Sequence, residues 1–258
     1  VIQWLIAAPK RTGINYLHQN LRNFNFLSNI RIDESNDLHN VETNIKLVDR
    51  VTRKTTDSIP ELRFPIPEKN QQNAQQILNG FGIKESDKVI GFHPGGSIPK
   101  NHINKRWSPE KYAELAKYLI EKKSFKVCVF GGPDESDLKS EIIKRTGSEY
   151  CYAIDTKSLV DTAAVMRRCD LFVSNDSSLM HVAAALQLKT VAIEGPLNIN
   201  FTRPWKTEHK IVSLNLECSP CFYYSPKHLT CYRDDVKFKC MKEISVEMVK
   251  NKFDEINS

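Results

Sequence analysis

The sequence predicts an α/β fold built on a doubly wound parallel sheet. Short apolar runs alternate with helix-like segments through the middle of the chain, and each run ends in a loop of small and polar residues. Among the 258 residues, 40% are hydrophobic and 26% are charged, as in ordinary globular proteins. Strands separated by helices of roughly ten residues imply right-handed crossovers and helices on both faces of a parallel sheet. We expect residues 85 to about 215 to form this domain.

The first predicted unit is a buried strand at 88–92, followed by a polar loop and a helix. Ser108 is the expected N-cap of that helix, and Pro109 occupies its first position. One face of the helix repeats apolar residues at helical spacing, namely Tyr112, Leu115, Ala116 and Leu119. A second strand is predicted at 126–130, where a Gly-Gly-Pro turn stops it.

The same alternation continues downstream. A helix is predicted at 159–168, a strand at 171–173 and a loop at 174–178. A helix of small residues at 179–186 follows, and then a strand at 190–193. These elements extend the parallel sheet.

The flanking segments differ from this core. Residues 1–57 carry helix and strand signals without a complete alternating unit, and 59–67 contains three prolines, as a linker would. We therefore expect a partial N-terminal domain with its linker at 1–67. A second domain is expected at 68–258, including a C-terminal helix within 244–256. Because the chain starts at Val1, in what reads as the middle of a packed element, we also expect it to be a fragment.

Composition limits the possible partners and compartment. The net charge of +6 is spread along the chain, which allows an anionic partner such as a nucleotide or a phosphorylated lipid, and we expect no nucleic-acid partner. No apolar run approaches bilayer length and no secretory signal opens the chain, so the cytoplasm is expected. Cys128, Cys151 and Cys169 lie in or beside apolar segments and are expected to be buried thiols, without a disulfide scaffold.

Four loops follow the predicted strands at the edge where an open parallel sheet binds ligands. They are Ser97 with its neighbours, 131–135, 174–178 and 194–200. The loop at 174–178 opens a helix whose free amides and dipole suit a phosphate, although Ser, Asp and Asn also favour such positions as ordinary caps.

Three further side chains are candidates for the same anion. His181 lies three residues past Ser178 on the same helix, yet a single histidine is more often structural. Lys105 and Arg106 are mobile cations in a polar loop that is also compatible with simple solvation. Convergence of several loops on one edge favours the binding interpretation. Neither a Walker phosphate loop nor G-x-G-x-x-G follows any strand, which disfavours ATP hydrolysis and dinucleotide redox chemistry.

Several runs follow the predicted strands in a fixed order. They are 91–97 (GFHPGGS), 105–110 (KRWSPE), 131–133 (GGP), 174–185 (SNDSSLMHVAAA) and 194–196 (EGP). In order and spacing they resemble glycosyltransferase family 9, the ADP-heptose:lipopolysaccharide heptosyltransferases. The segments 10–13 (KRTG) and 39–44 (HNVETN) extend the resemblance over nearly the whole chain.

The resemblance implies a GT-B architecture, in which two Rossmann-like domains face each other across a cleft and the second holds the sugar nucleotide. It implies an inverting, metal-independent transfer in which the sugar nucleotide is a substrate and no cofactor is needed. By position, Lys105 would neutralise the diphosphate, and the amides of Ser177 and Ser178 would bind it. Asp176 would hold hydroxyls of the sugar, and His181 would lie beside the phosphates.

The resemblance also places Ser97 in the donor site, the backbone near Lys157 against the nucleobase of the donor, and Asp134 or Glu135 near its ribose. The sequence departs from the family at Ser178-Leu179, where Gly-Pro is usual, which bears on how closely a phosphate approaches the backbone. The glycine-rich segment that carries the family's catalytic aspartate is not in this sequence. We therefore expect the base outside it, and donor binding without assured turnover.

Four cysteines lie close together near the C-terminus: Cys218, Cys221, Cys231 and Cys240. A C-x2-C pair often begins a zinc site, but the second pair here is spaced by eight intervening residues. Free or redox-labile thiols are the favoured interpretation, with a structural metal as the alternative.

The leading functional hypothesis is transfer of a heptose from a nucleoside diphosphate sugar, ADP-heptose, to a lipopolysaccharide core or lipid-linked acceptor. With such an acceptor, we expect the protein to make a peripheral contact with the inner membrane face. The alternatives are a family 9 transferase that uses another sugar donor and a non-catalytic nucleotide-binding remnant. Binding of ADP, UDP and GDP would separate these possibilities.

Overall fold

A six-stranded parallel sheet forms the centre of the chain in the computed structural model, which describes residues 7–17, 25–223 and 228–258. Its strands are β3 (Lys88–His93), β4 (Phe125–Val129), β5 (Cys151–Ala153), β6 (Leu171–Asn175), β7 (Lys189–Ile193) and β8 (His209–Val212). The spatial order is β5-β4-β3-β6-β7-β8, with every neighbouring pair parallel. The chain thus builds outward from β3 in one direction and then from β6 in the other, as in Rossmann-like folds.

Helices cover both faces of this sheet. The described helices are α1 (Asn40–Thr52), α2 (Glu68–Gly80), α3 (Pro109–Lys123), α4 (Ser136–Thr146), α5 (Leu159–Met166), α6 (Ser178–Ala185), α7 (Ile199–Thr202), α8 (Lys239–Lys242) and α9 (Val246–Asn257). One apolar cluster joins the sheet to α3 and α9, and a second joins it to α2, α5 and α6. The predicted doubly wound sheet is therefore confirmed.

Packing explains why helix α3 forms where the sequence predicted it. The hydroxyl of Ser108 accepts a hydrogen bond from the amide of Lys111 at 3.4 Å, and Pro109 occupies the first turn. The predicted apolar face is fully buried, at Tyr112, Leu115, Ala116 and Leu119. The helix ends at Ser124, whose φ of 59° places it in the left-handed region.

Some elements differ from their predicted bounds. The second strand begins at Phe125 and not at 126, and the helix at 159 ends at Met166. The C-terminal helix starts only at Val246, after its cap Ser245 and the separate short helix α8. Strands β5 and β8 were not predicted, because three or four residues carry too little alternation to identify them.

The first part of the chain contributes a small parallel sheet and one helix. Strand β1 (Thr12–Asn15) pairs with β2 (Ile30–Asp33), and α1 follows. Residues 59–67 form neither helix nor strand, and Trp205 Nε1 donates to the carbonyl of Pro60 at 3.0 Å. Residues 1–6, part of the segment expected to be the middle of an element, lie outside the described residues.

The cysteines and helices bear on two sequence expectations. Cys128, Cys151 and Cys169 are buried as expected, and all seven cysteines are free thiols. Within residues 7–17, 25–223 and 228–258, no helix combines the length and the apolar character that crossing a membrane requires.

Candidate functional site

A cavity of about 1180 Å³ opens at the carboxyl ends of the central strands. It lies beside β3 and β6, where the strand order reverses and where open parallel sheets bind ligands. The structure brings all the sequence-predicted binding residues to its wall: Ser97, Lys105, Glu135, Lys157, Asp176, Ser177, Ser178 and His181. Asn40, at the start of α1, also lines it, so the first part of the chain closes one side.

An ion pair joins two of these residues. Lys105 ends the 3₁₀ segment Pro99–Lys105, and its Nζ lies 2.6 Å from Oδ2 of Asp176, which directly follows β6. Both side chains are largely buried, at 12% and 9% exposed. A pair shielded in this way is held more strongly than a surface pair, because water screens it less. An incoming anion would have to compete with Asp176 for the lysine.

The start of helix α6 faces the cavity without a capping side chain. Ser177 is the N-cap residue, but its hydroxyl makes no cap hydrogen bond. It lies instead 2.7 Å from Nδ1 of His93 and 3.0 Å from Oγ of Ser174. Because the first amides of a helix have no partners within the helix, this end carries the positive pole of the helix dipole towards the cavity. That arrangement suits an anionic group.

Glu135 connects its own loop, after β4, to the end of β3 and the loop that follows it. Its carboxylate accepts hydrogen bonds from the amides of Gly96 at 2.7 Å and Gly132 at 2.9 Å, and it lies 3.3 Å from Nε2 of His93. Burial alone would raise its pKa, but the hydrogen bond with His93 and those from the two amides lower the pKa to about 2. The carboxylate is therefore ionised at neutral pH. Both its oxygens are engaged by protein groups, and its predicted contact with a ribose stays a prediction.

Arg106 reinforces the same connection. One of its guanidinium nitrogens contacts the carbonyl oxygen of Gly96 and lies 3.3 Å from the Glu135 carboxylate. The sequence left Arg106 as an alternative to Lys105 for binding a diphosphate. The structure separates the two, because Arg106 is committed to the loop and Lys105 to Asp176.

His181 and Lys157 complete the predicted set, and His93 joins it in the structure. Burial lowers the pKa of His181 and the charge of Lys105 lowers it further, against an opposite effect of Asp176, so the ring is neutral at neutral pH. His93, which the sequence did not single out, ends β3 and touches both Ser177 and Glu135. Lys157 directly precedes Ser158, the N-cap of α5, and both line the cavity.

Asn175 lies in a loop that the sequence indicated, but its role as a positioning residue was not predicted. Its amide nitrogen donates to the carbonyls of Pro94 at 2.7 Å and Gly95 at 3.2 Å. Its amide oxygen accepts from the amide of Trp107 at 3.1 Å and from the hydroxyl of Tyr112 at 3.2 Å. The side chain is fully buried and ties the loop after β3 to the segment that carries Lys105. The signal that could have identified this residue is a polar side chain at the end of a buried strand.

The C-terminal cysteines lie near one another but form no recognisable metal site. Burial raises the pKa of Cys221 and of Cys240, the latter to about 11, and the neighbouring thiols raise both further. Among the described residues, no group of three or more His, Cys, Asp or Glu side chains is arranged to hold a metal ion. The zinc alternative gains no support from this geometry.

The chain matches the sequence model of glycosyltransferase family 9 (heptosyltransferase) over residues 1–231. Among curated proteins, lipooligosaccharide heptosyltransferase 2 of Campylobacter jejuni serotype O:2 is 34% identical over 182 residues, which are 67% of this chain and 52% of that protein. The chain thus spans about half the length of the curated relatives it matches.

Two solved structures show the same fold. A family 9 glycosyl transferase from Veillonella parvula is 26% identical, with a TM-score of 0.67 over 82% of this chain and 58% of that one. The Escherichia coli ADP-heptose lps heptosyltransferase II is 20% identical, with a TM-score of 0.67 over 99% of this chain and 72% of that one. These neighbours support the GT-B class expected from the sequence.

Proposed function

Because this chain belongs to glycosyltransferase family 9, we propose that it takes part in transferring a heptose from ADP-heptose to a lipopolysaccharide core acceptor. The names of its relatives support the proposal, since they include a lipooligosaccharide heptosyltransferase and an ADP-heptose lps heptosyltransferase. Because this chain spans only about half the length of the curated relatives, the activity of the whole protein is part of the proposal.

The observation that carries this proposal is the convergence of a lysine and an uncapped helix start in one cavity. Lys105 and the first turn of α6 both face the space beside β3 and β6. A nucleoside diphosphate leaving group needs its developing negative charge stabilised, and preorganised cations and helix dipoles supply such stabilisation.

The proposed reaction is a direct displacement at the anomeric carbon. The acceptor hydroxyl loses its proton to a carboxylate base and its oxygen attacks the anomeric carbon, whose bond to the diphosphate oxygen breaks with inversion. Lys105 and the α6 dipole stabilise the departing diphosphate in place of a divalent metal. The base is not assigned to a residue of this chain, and the sugar nucleotide is a substrate, so the proposal includes no cofactor.

The remaining cavity residues take roles according to their position. Asp176 holds hydroxyls of the transferred sugar and His181 lies beside the phosphates. The backbone near Lys157 contacts the nucleobase of the donor, and Asp134 or Glu135 lies near its ribose. An acceptor that is a membrane lipid implies a peripheral contact with the cytoplasmic face of the inner membrane.

Calorimetry with ADP, UDP and GDP tests the donor class. We expect ADP to bind most tightly, and equal weak binding of all three would contradict an ADP-sugar donor.

Lys105→Ala removes the cation that the diphosphate needs, so we expect its ADP affinity to fall at least about tenfold, as is usual for a lost charge-assisted contact. The matched control is Lys117→Ala on the exposed face of α3, which should leave ADP affinity unchanged.

A further inference from the structure

Glu194 is a buried carboxyl group to which the proposed mechanism assigns no role. It directly follows β7, its amide donates to the carbonyl of Val212 at 3.0 Å, and its side chain has no exposed surface. Because Asn175 pairs with Ile193 in the parallel register, Asp176 and Glu194 leave neighbouring strands at the same level. Glu194 therefore lies level with Asp176, and it is not among the residues that line the cavity.

Neither carboxyl oxygen of Glu194 has a hydrogen-bond partner among the described residues. A buried carboxylate without partners is very costly, so the group is expected to stay protonated. Burial raises its pKa well above the ordinary value, the charge of Asp176 raises it further, and Lys105 acts in the opposite direction. Glu194 is thus an uncharged acid at neutral pH.

Two charged groups act on Glu194, and they are the members of the ion pair described above. Asp176 follows β6, and Lys105 ends the 3₁₀ segment Pro99–Lys105. Cys240 of α8 lies near Gly195, the residue after Glu194, and burial raises the pKa of that thiol to about 11, so it is uncharged at neutral pH. The single ion pair of Lys105 and Asp176 is therefore the charged feature that Glu194 can influence.

We propose that Glu194 is a positioning residue which, by remaining an uncharged acid near the Lys105–Asp176 pair, leaves the lysine with a single carboxylate partner and free to exchange it for a diphosphate. This inference rests on the proposed binding of a nucleoside diphosphate. A second carboxylate at this place would hold the lysine more strongly and repel the incoming anion, since charges a few ångströms apart interact strongly when they are shielded from water.

The test compares the wild type with Glu194→Gln, which has the same shape and never ionises. The matched control is Glu208→Gln, at an exposed glutamate that pairs with Lys189 near the start of β7. Infrared spectroscopy at neutral pH reports the carbonyl stretch of a protonated carboxylic acid. Calorimetry reports the affinity for ADP as the pH is raised.

The expected infrared result is a protonated-acid band that is present in the wild type and in Glu208→Gln and absent from Glu194→Gln. The ADP affinity of Glu194→Gln should equal that of the wild type at neutral pH. As the band disappears at alkaline pH, the wild type should bind ADP at least about tenfold more weakly than Glu194→Gln, as one added charge near a bound anion implies.

Two results would overturn the inference: the absence of a Glu194 band at neutral pH, or parallel affinity profiles for the two proteins over the whole pH range. If no nucleoside diphosphate binds the wild type at all, the proposed function fails. The infrared measurement needs no ligand and still decides the protonation state of Glu194, so the two failures are distinguishable.

Discussion

Gly95 shows how closely the cavity loops depend on single residues. A Cβ added at this position would lie 1.8 Å from Oε1 of Glu135, whose carboxylate is held by hydrogen bonds from the amides of Gly96 and Gly132. We expect Gly95→Ala to displace Glu135 and to destabilise the fold by about 1–3 kcal/mol, as overpacking usually does. Chemical denaturation measures the change.

The control for that substitution is Gly80→Ala. A Cβ at Gly80 meets nothing within 4 Å, and the residue lies in the last turn of α2, where alanine is a better helix former than glycine. Its stability should be unchanged or slightly higher. Equal losses of stability in the two variants would mean that crowding against Glu135 is not what destabilises Gly95→Ala.

Glu135 should make stability depend on acid pH. Its folded pKa of about 2 lies below the ordinary 4.5, so its contribution is complete above pH 4.5 and is lost as the pH falls towards 2. The shift corresponds to about 3 kcal/mol at neutral pH. Unfolding free energies of Glu135→Gln and the wild type should differ by about this amount at pH 7 and converge near pH 2. A constant difference at both pH values would contradict this.

At the residue scale, the sequence identified side chains that carry charge into the cavity but missed those that hold the loops. Lys105 and Asp176 follow strand ends in polar runs, so the edge of the sheet and their chemistry indicate them. Asn175 and Glu194 lie in loops that the sequence indicated, but they were not singled out, because they are buried at the ends of apolar strands. Their roles depend on backbone groups and charges brought together by tertiary structure.

The N-cap of α3 allows a test at the scale of an element. The Ser108 hydroxyl accepts from the Lys111 amide, and the helix buries one whole face against the sheet. Ser108→Ala should cost about 1 kcal/mol of unfolding free energy, as the loss of a cap usually does. Lys117→Ala on the exposed face of the same helix should change it by less than about 0.5 kcal/mol. Equal effects of the two substitutions would show that the cap contributes nothing specific.

The elements predicted well are those whose apolar residues recur with the spacing of a helix or form a continuous buried strand. Helix α3 has four apolar residues on one face, and β3 is apolar for most of its length. Helix α2 was missed because its sequence is mostly polar and only Ala74 and Leu78 are buried. Helix α6 begins one residue earlier than predicted, at Ser178, because Ser177 takes the cap position.

At the scale of the whole molecule, the strand order decides where the chemistry can lie. The sequence predicted a parallel sheet but contains no local signal for which strand becomes central. The structure places β3 beside β6, so the loops after these two strands meet, although they are about eighty residues apart, as in the pair of His93 and Ser177. That long-range pairing explains why one cavity collects residues from loops that are distant in the sequence.

His39 links the first part of the chain to the sheet domain. Its Nε2 lies 2.9 Å from the carbonyl oxygen of Arg203, and its ring packs 4.7 Å from the ring of Trp205. Its Nδ1 accepts the amide of Val41 as the N-cap of α1. Both contacts therefore require the neutral ring with its proton on Nε2. Burial lowers the pKa of His39 below the ordinary 6.5, and the charge of Arg203 lowers it further.

This pKa shift predicts that acid loosens the attachment of α1. Because the folded pKa lies below the ordinary value, the contribution of His39 is complete above pH 6.5 and is lost progressively as the pH falls below it. Hydrogen exchange, corrected for intrinsic rates, should show weaker protection of the α1 amides at pH 5 than at pH 7. The amides of α9, which packs against α3 and β8, should stay equally protected.

The matched variant is His39→Asn, because asparagine also caps helices but does not titrate. Its α1 protection should be the same at pH 5 and pH 7. Wild-type protection that is unchanged between the two pH values would contradict the prediction, and so would an equal loss in His39→Asn. Since Asn40 lines the cavity directly after His39, loosening of α1 should also weaken ADP binding in the wild type at pH 5. Calorimetry on both proteins connects the attachment of the first segment to the proposed donor site.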